Sequence, residues 1–178
     1  MPIRDMHVRP MHPLDLDDVL HIQAASHGPG YLEPRQAFAA KLSASPDTTW
    51  VACQGPQVLA YLFALPIDDT RIPTLHEAGW TPPRLPLRLY MHDLAVLPEA
   101  QGGGTGRSLV SCAFQYAQDH GLEGLTLVAI SGAAAYWTRQ GFVALPPTPL
   151  ALQTQLASYG DGAVLMTAEC RHTEFPAS

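Results

Sequence analysis

The chain has 178 residues, of which 47% are hydrophobic and 15% are charged. These values predict a single folded domain over residues 1–178 and exclude an intrinsically disordered protein. Because the net charge is −6 and no apolar run approaches about eighteen residues, we expect neither nucleic acid nor a membrane as a partner.

The cysteines indicate the cellular compartment. Cys53, Cys112 and Cys170 are odd in number for a disulfide framework and too widely spaced for a zinc motif. Residues 1–9 include several charged side chains and lack the apolar core of a signal peptide. We therefore expect reduced thiols and a cytoplasmic protein.

The first half of the chain alternates between strand-like and helix-like segments. Apolar β-rich runs indicate strands, and prolines followed by acidic residues indicate helix starts. The turn at Gly55–Pro56 between two such runs predicts a β-hairpin. We predict a strand over 3–8, a helix from Pro13 to the break at 28–30, a helix from Pro34 through Leu42, and strands over 49–53 and 58–65.

The second half begins with a long loop over 66–86. The spacing of apolar residues and the positions of glycines then predict the remaining elements. They are a strand over 87–96, a helix over 104–119, a strand over 125–130, a helix over 133–139 and a last strand over 163–170. This order of elements predicts an α/β or α+β domain built on a central sheet.

Four glycines in the five positions from 102 to 106 predict a phosphate-binding loop between a strand and a helix. A Walker A loop fails at two positions, because Gln101 replaces its first glycine and Arg107 its lysine. A dinucleotide fingerprint lacks its third glycine and should follow a first strand. A nucleotide-binding protein is thus a weaker alternative.

A third pattern fits every position. Gln101, Gly104 and Gly106 match Q/R-x-x-G-x-G/A, and here the sequence resembles the GCN5-related N-acetyltransferase (GNAT) superfamily. In that family the loop binds the pyrophosphate of acetyl-CoA. The chemistry is physically sound, because glycines let backbone N–H groups converge on an anion at a helix N-terminus. The close resemblance covers residues 87–142.

The resemblance implies the GNAT acyl-CoA N-acyltransferase fold, a mixed twisted sheet flanked by helices. It implies an N-acetyltransferase that uses acetyl-CoA as co-substrate and transfers the acetyl group directly, in a ternary complex, to a primary amine, most simply a small molecule. No metal is expected. The residues that the resemblance assigns to acetyl-CoA are Leu94, Ala95, Val96, Gln101, Gly102, Gly103, Gly104, Thr105, Gly106, Arg107, Ser131, Ala134 and Trp137.

The strand before the loop carries the expected catalytic groups. MHDLAVLPEAQGGGTG resembles the catalytic strand of the arylalkylamine N-acetyltransferases, which implies His92 as the proton relay and Tyr90 as a wall or second relay. Strand alternation places Tyr90, His92, Leu94 and Val96 on one face and Asp93 on the other, unless a bulge intervenes. A His92 that only packs at the cleft edge is the alternative, and Asp93 is expected to be a structural carboxylate.

The leaving thiolate has no evident acid. Many family members place a tyrosine four residues before the glycine of Gly141–Phe142, but here that position is Trp137, whose indole is no practical acid. Tyr136 is one position away on the helix. The thiolate then takes its proton from solvent, and Trp137 packs along the pantetheine or in the core.

The resemblance implies an acceptor pocket built from residues 26–34, 66–86 and 143–162, with Tyr31, Trp80 and Tyr159 as candidate wall residues. The remaining histidines, including His27, are expected at the surface. A protein N-acetyltransferase and a non-catalytic acyl-CoA sensor are the alternatives that stay open. A homodimer is also open, since exposed strand edges would permit one.

Overall fold

A computed structural model of the chain describes residues 5–130, 132–145 and 149–170. Within these residues seven strands form one mixed sheet in the order β1-β2-β3-β4-β5-β7-β6. The strands are β1 (Met6–Pro10), β2 (Thr49–Gln54), β3 (Gln57–Ile67), β4 (Arg88–Val96), β5 (Gly124–Ala129), β6 (Val143–Ala144) and β7 (Val164–Glu169). The helices are α1 (Leu16–Ser26), α2 (Arg35–Ala44), α3 (Thr105–Asp119), α4 (Ala134–Arg139) and α5 (Gln153–Ala157).

The helices cover both faces of the sheet. Leu109, Ala113 and Ala117 recur at helical spacing on α3 and are fully buried against one face. Val19 and Ile22 of α1 are buried with the side chains of the opposite face. The predicted α/β architecture with a flanked central sheet is therefore confirmed.

The long predicted strands and helices are all present, with boundaries that differ by a few residues. The prediction missed β6 and α5 because two- and five-residue elements are too short to show a period. Residues 146–148, which belong to the predicted acceptor segment 143–162, lie outside the described residues. No helix in the described ranges is long and apolar enough to cross a membrane.

β4 and β5 are parallel neighbours that separate partway along their length. Their pairing extends from Arg88–Gly124 to Tyr90–Thr126, and β4 then continues to Val96 without a partner on β5 in the described register. β5 stays paired with β7 as far as Ala129. The carboxyl ends of β4 and β5 thus leave an opening at the centre of the sheet.

Gly124 stands at the closed end of this opening and should tolerate no side chain. A Cβ there would lie 2.1 Å from the Ala168 carbonyl oxygen and 2.9 Å from Glu169 Cα, both backbone atoms. We expect Gly124→Ala to destabilise the chain by about 1–3 kcal/mol, the range for overpacking a tight site. Urea unfolding measures the change, and Gly30→Ala, with no atom within 4 Å of its Cβ, is the control.

Candidate active site

A cavity of about 350 Å³ opens between the separated strands. Its walls come from the segment that joins α1 to α2, from β4, from the end of β5 and from α4. The volume falls within the range of small-molecule sites. It is lined by both predicted catalytic residues, Tyr90 and His92, and by Leu94 and Trp137 from the predicted donor site.

A β-bulge in β4 decides which side chains face this cavity. Asp93 pairs with Phe63 and Met91 with Ala64, so His92 is the extra residue on β4. The alternation predicted from the sequence is therefore wrong beyond this point. Leu94 and Val96 pack with Met91 on the α3 face, whereas Tyr90, His92 and Asp93 lie together on the opposite face.

His92 is held by Glu33, which precedes α2. The His92 Nε2 atom lies 2.8 Å from Glu33 Oε1, and the two side chains are only 4% and 5% exposed. A carboxylate can only accept, so Nε2 donates this hydrogen bond, and in the neutral imidazole Nδ1 is then the nitrogen with the lone pair. His92 Nδ1 has no hydrogen-bond partner in the described part of the chain. The pair therefore presents a basic nitrogen of fixed tautomer.

His92 and Lys41 both stabilise the Glu33 carboxylate. The Lys41 Nζ atom is completely buried, lies 3.0 Å from Glu33 Oε1 and also donates to the Glu77 carbonyl oxygen. Burial by itself raises the pKa of the Glu33 carboxyl. The hydrogen bond from His92 and the charge of Lys41 outweigh that effect, and the pKa lies below its ordinary value.

A second acid–histidine pair lies beside the first. His27 Nε2 lies 2.7 Å from Asp93 Oδ1, and the Tyr61 hydroxyl donates to Asp93 Oδ2 at 2.8 Å. The expectation of a structural, hydrogen-bonded Asp93 agrees with this geometry. The expectation of a surface His27 is wrong, because His27 is half-buried, lines the cavity and is bound by a carboxylate from β4.

The His27–Asp93 pair makes stability depend on pH. The hydrogen bond to Asp93 raises the pKa of His27, and burial only partly opposes it. The contribution of the pair is complete below the unfolded value of about 6.5 and is lost as the pH rises through the folded pKa. We expect Asp93→Asn to lower the His27 pKa measured by NMR titration. Tyr61→Phe, which leaves the ion pair in place, should not bring it below its ordinary value.

Tyr90 is placed as a wall of the cavity. Its hydroxyl donates to the Tyr159 hydroxyl at 2.8 Å, and Tyr159 donates to the Pro73 carbonyl oxygen at 2.7 Å. Burial raises the pKa of Tyr90 well above its ordinary value. The hydrogen bonds from Tyr90 through Tyr159 end at a backbone carbonyl, which cannot pass a proton on. This arrangement favours Tyr90 as a wall of the cavity over Tyr90 as a proton relay.

The glycine loop has the conformation that its sequence predicts. Gly102 and Gly104 have φ values of 77° and 86°, in the left-handed region that glycine adopts without strain. Gly104 is the N-cap of α3, and the first helical bond to it comes from Ser108 N–H. The N–H groups of Thr105, Gly106 and Arg107 are thus free of the helix ladder and suited to an anion.

The end of β4 faces the opening with backbone groups. Leu97 N–H donates to Leu59 O on β3, so by antiparallel alternation Leu94 and Val96 direct their backbone groups away from β3. The Val96 carbonyl accepts from the Ser26 hydroxyl and from the Gln101 amide. Gln101 therefore braces the loop against β4, while Ala95 is buried towards α1.

The α4 helix closes the other side of the opening. Trp137 packs edge-on against Phe142 and lines the cavity, and Ala134 packs against the same hydrophobic core. The Tyr136 hydroxyl lies 3.9 Å from the position that a Cβ on Gly106 would take, beside the loop and not beside His92. Ser131, also assigned to the donor, lies outside the described residues.

Two other expectations concern the acceptor walls and metals. Tyr31 and Tyr159 line the cavity as predicted. Trp80 does not, because its indole donates to the Pro66 carbonyl and its ring packs under Arg71. In the described ranges, no three His, Cys, Asp or Glu side chains come together as a metal site.

The comparisons with known proteins agree with the geometry. The model of the "Acetyltransferase (GNAT) family" matches residues 16–142, more than two thirds of the chain. No curated protein gives a significant sequence match.

Three solved structures show a similar fold at low identity. The ribosomal-protein-S18-alanine N-acetyltransferase from Escherichia coli is 18% identical, with a TM-score of 0.65 over 97% of this chain and 99% of that one. The loading GNATL domain of CurA from Lyngbya majuscula is 15% identical, with a TM-score of 0.72 over 94% and 98%. Rv2747 from Mycobacterium tuberculosis, solved with CoA, is 16% identical, with a TM-score of 0.65 over 92% and 98%. Because the family model covers more than half of the chain, the chain belongs to the GNAT acetyltransferase family and is an acyltransferase.

Proposed function

We propose that the protein transfers the acetyl group of acetyl-CoA to the primary amine of a small molecule, directly and in a ternary complex. The observation that supports this most is the position of His92, whose unpaired Nδ1 belongs to a residue lining the cavity at the strand opening. Acetyl-CoA bound at the opening and an amine bound in the cavity would meet beside this nitrogen.

The donor site fits acetyl-CoA. The left-handed glycines Gly102 and Gly104 leave the loop open to close approach, and the start of α3 offers N–H groups to the pyrophosphate. Gly103 extends the same loop, and exposed Arg107 adds a positive charge. The backbone of Leu94 and Val96 would hold the pantetheine arm and the thioester carbonyl.

The chemistry follows from these positions. The bound ammonium passes one proton to His92 Nδ1, and the free amine attacks the acetyl carbonyl carbon. The C–N bond forms and the C–S bond breaks, while a backbone N–H of β4 stabilises the charge on the carbonyl oxygen. The nitrogen releases its second proton to solvent as the amide forms, and the thiolate takes one proton from solvent. Trp137 packs beside the donor and takes no part in proton transfer.

A small acceptor is favoured over a protein because the cavity has a fixed outer wall. Lys41 ties the Glu77 carbonyl to the body, and Tyr159 ties the Pro73 carbonyl, so the loop between β3 and β4 is anchored at two points. An anchored wall limits access for a folded polypeptide. A protein N-acetyltransferase stays the alternative, and a non-catalytic acyl-CoA sensor would bind the donor without amine-dependent thiol release.

We also propose a cytoplasmic location, since the described cysteines Cys53, Cys112 and Cys170 are free thiols. The edge strands β1 and β6 would permit a homodimer, which size-exclusion chromatography with light scattering decides.

The donor is tested by calorimetry. Acetyl-CoA and, in parallel, ATP are titrated into the purified protein. We expect acetyl-CoA to bind at micromolar concentration and ATP to give no signal. ATP binding without acetyl-CoA binding would overturn the donor assignment and return the glycine loop to a nucleotide-binding role.

A further inference from the structure

The cavity contains a second histidine–carboxylate pair that the proposed reaction does not use. His27, the C-cap of α1, lines the cavity, and its side chain is 25% exposed. The His27 Nε2 atom lies 2.7 Å from Asp93 Oδ1, while Nδ1, on the other side of the ring, has no hydrogen-bond partner among the described residues. One ring nitrogen is therefore held by the protein, and the other is available to a ligand and to solvent.

The contacts around His27 place it beside the end of β4. Asp93, which binds it, directly precedes Leu94 in that strand. Ser26, its neighbour in the chain, donates its hydroxyl to the Val96 carbonyl oxygen at 2.9 Å. This end of β4 is the part whose backbone would hold the thioester of acetyl-CoA. His27 is therefore placed beside the region where the C–S bond would break.

The groups around His27 favour its charged form. The hydrogen bond to Asp93 raises the pKa of His27 against the opposing effect of burial, and the Glu33 carboxylate adds a smaller effect in the same direction. Tyr61 on β3 donates to Asp93 Oδ2 at 2.8 Å, and His92 lines the same cavity. In the imidazolium both ring nitrogens carry a proton, so Nδ1 has one to give while Nε2 stays bonded to Asp93.

The other polar side chains of the cavity are less suited to donate a proton. Among the described lining residues, the hydroxyls of Ser26, Tyr90 and Tyr159 already donate to other oxygens. His92 accepts a proton in the proposed reaction and therefore cannot be the acid in the same step. Tyr31 carries a phenol, which is in general a much weaker acid than an imidazolium. The leaving thiolate thus has one well-placed proton source in this cavity, His27.

We propose that His27 is the general acid of the reaction and protonates the sulfur of CoA as it leaves. The inference rests on the acetyl transfer proposed above. As the C–S bond breaks, its electron pair stays on sulfur, and the Nδ1 proton of the imidazolium moves to it, which leaves a free thiol and a neutral imidazole. The partly exposed ring then takes a proton from solvent before the next turnover. Asp93 acts as a positioning residue through its bond to Nε2.

The role of His27 is tested with two donors that differ in the leaving atom. A selenolate is a much weaker base than a thiolate and leaves without a proton, so acetyl-seleno-CoA, with selenium in place of the thioester sulfur, should not need His27. Single-turnover mixing with a panel of primary amines, beginning with 2-phenylethylamine, measures acetyl transfer without product release. His27→Gln should slow transfer from acetyl-CoA by about tenfold or more and transfer from the selenium donor by less than about twofold.

The two donors separate catalysis from structure. Glutamine can still donate to Asp93, and a variant that only disturbed the cavity would slow both donors equally. His21→Gln is the matched control, because His21 is exposed on the same helix and undergoes the same substitution. It should leave both rates at the wild-type value.

The pH dependence gives a second readout. Transfer from acetyl-CoA requires the charged form of His27, so its rate should fall as the pH rises through the His27 pKa. Asp93→Asn removes the main cause that raises this pKa and should move the fall to lower pH. The fall should be absent in His27→Gln, and absent in the wild type when the selenium donor is used.

The outcomes separate this inference from the proposed function. If His27→Gln slows neither donor or slows both equally, or if the fall in rate at high pH survives in that variant, His27 is not the acid and acetyl transfer still stands. If acetyl-CoA binds but no amine of the panel is acetylated by the wild type, the proposed function itself fails, and the role of His27 fails with it.

Discussion

Replacing His92 with glutamine should lower kcat for amine acetylation by about 10²-fold or more, the range for loss of a positioned general base. Glutamine can still donate to Glu33 Oε1, 2.8 Å from His92 Nε2 in the wild type, so the fold of β4 is preserved. It offers no basic nitrogen in place of Nδ1. The measurement is steady-state thiol release with saturating acetyl-CoA.

The effect should fall on kcat more than on KM, because the proton leaves the ammonium only on the way to the transition state. The Kd for acetyl-CoA should not change, since the proposed donor site consists of the loop and the end of β4. If His92→Gln keeps wild-type kcat, His92 only packs against Glu33, and another group in the cavity must take the proton.

Gly104→Val should weaken acetyl-CoA binding by about tenfold or more. Gly104 has a φ of 86° and caps α3, and a side chain costs about 1–2 kcal/mol in that conformation. The loop escapes the strain by moving. Acetyl-CoA binding must then restore the original loop conformation, and that cost reduces the binding free energy. A loss of about 1.4 kcal/mol corresponds to a tenfold rise in Kd. Calorimetry with acetyl-CoA measures it.

The control is a glycine that also has a positive φ and lies at the other end of the same helix. Gly121 has a φ of 67° and follows His120, the C-cap of α3. Gly121→Val should lower the free energy of unfolding by a similar amount and leave the Kd for acetyl-CoA unchanged. An equal loss of affinity in both variants would mean that the loop acts through stability and not through phosphate binding.

The conformation of the glycine loop could be predicted from the sequence because its determinants are local. Glycines that need positive φ, a preceding strand and a following amphipathic helix lie within one short stretch, from β4 to α3. The left-handed Gly102 and Gly104 confirm the backbone that this spacing predicts. The roles of individual loop residues in binding remain predictions.

The residues of the proposed acceptor site could not be predicted as a group from the sequence, because they meet only in three dimensions. Glu33, just before α2, reaches His92 across a long sequence separation, and Lys41, within α2, bonds to Glu33. A single glutamate after a glycine-rich turn carries no spacing signal. The sequence shows only that Glu33 lies between a break and a helix. An acidic residue at that position is explained equally well as a solvated helix start.

The bulge in β4 is the second feature that the sequence hides. A strand with period two predicts opposite faces for His92 and Asp93, whereas the extra residue places both on the α1 side of the sheet. That shift brings Asp93 within hydrogen-bond distance of His27, and His92 within hydrogen-bond distance of Glu33. Nothing in the composition of β4 marks where pairing with β3 slips by one residue.

The most direct measurement is thiol release from acetyl-CoA with 2-phenylethylamine, followed by mass spectrometry of the amine product. The proposed reaction predicts thiol release that depends on the amine, one N-acetylated product for each thiol, and a strong loss of rate in His92→Gln. Tight acetyl-CoA binding with thiol release that no amine accelerates would contradict it, and the protein would then be an acyl-CoA-binding module.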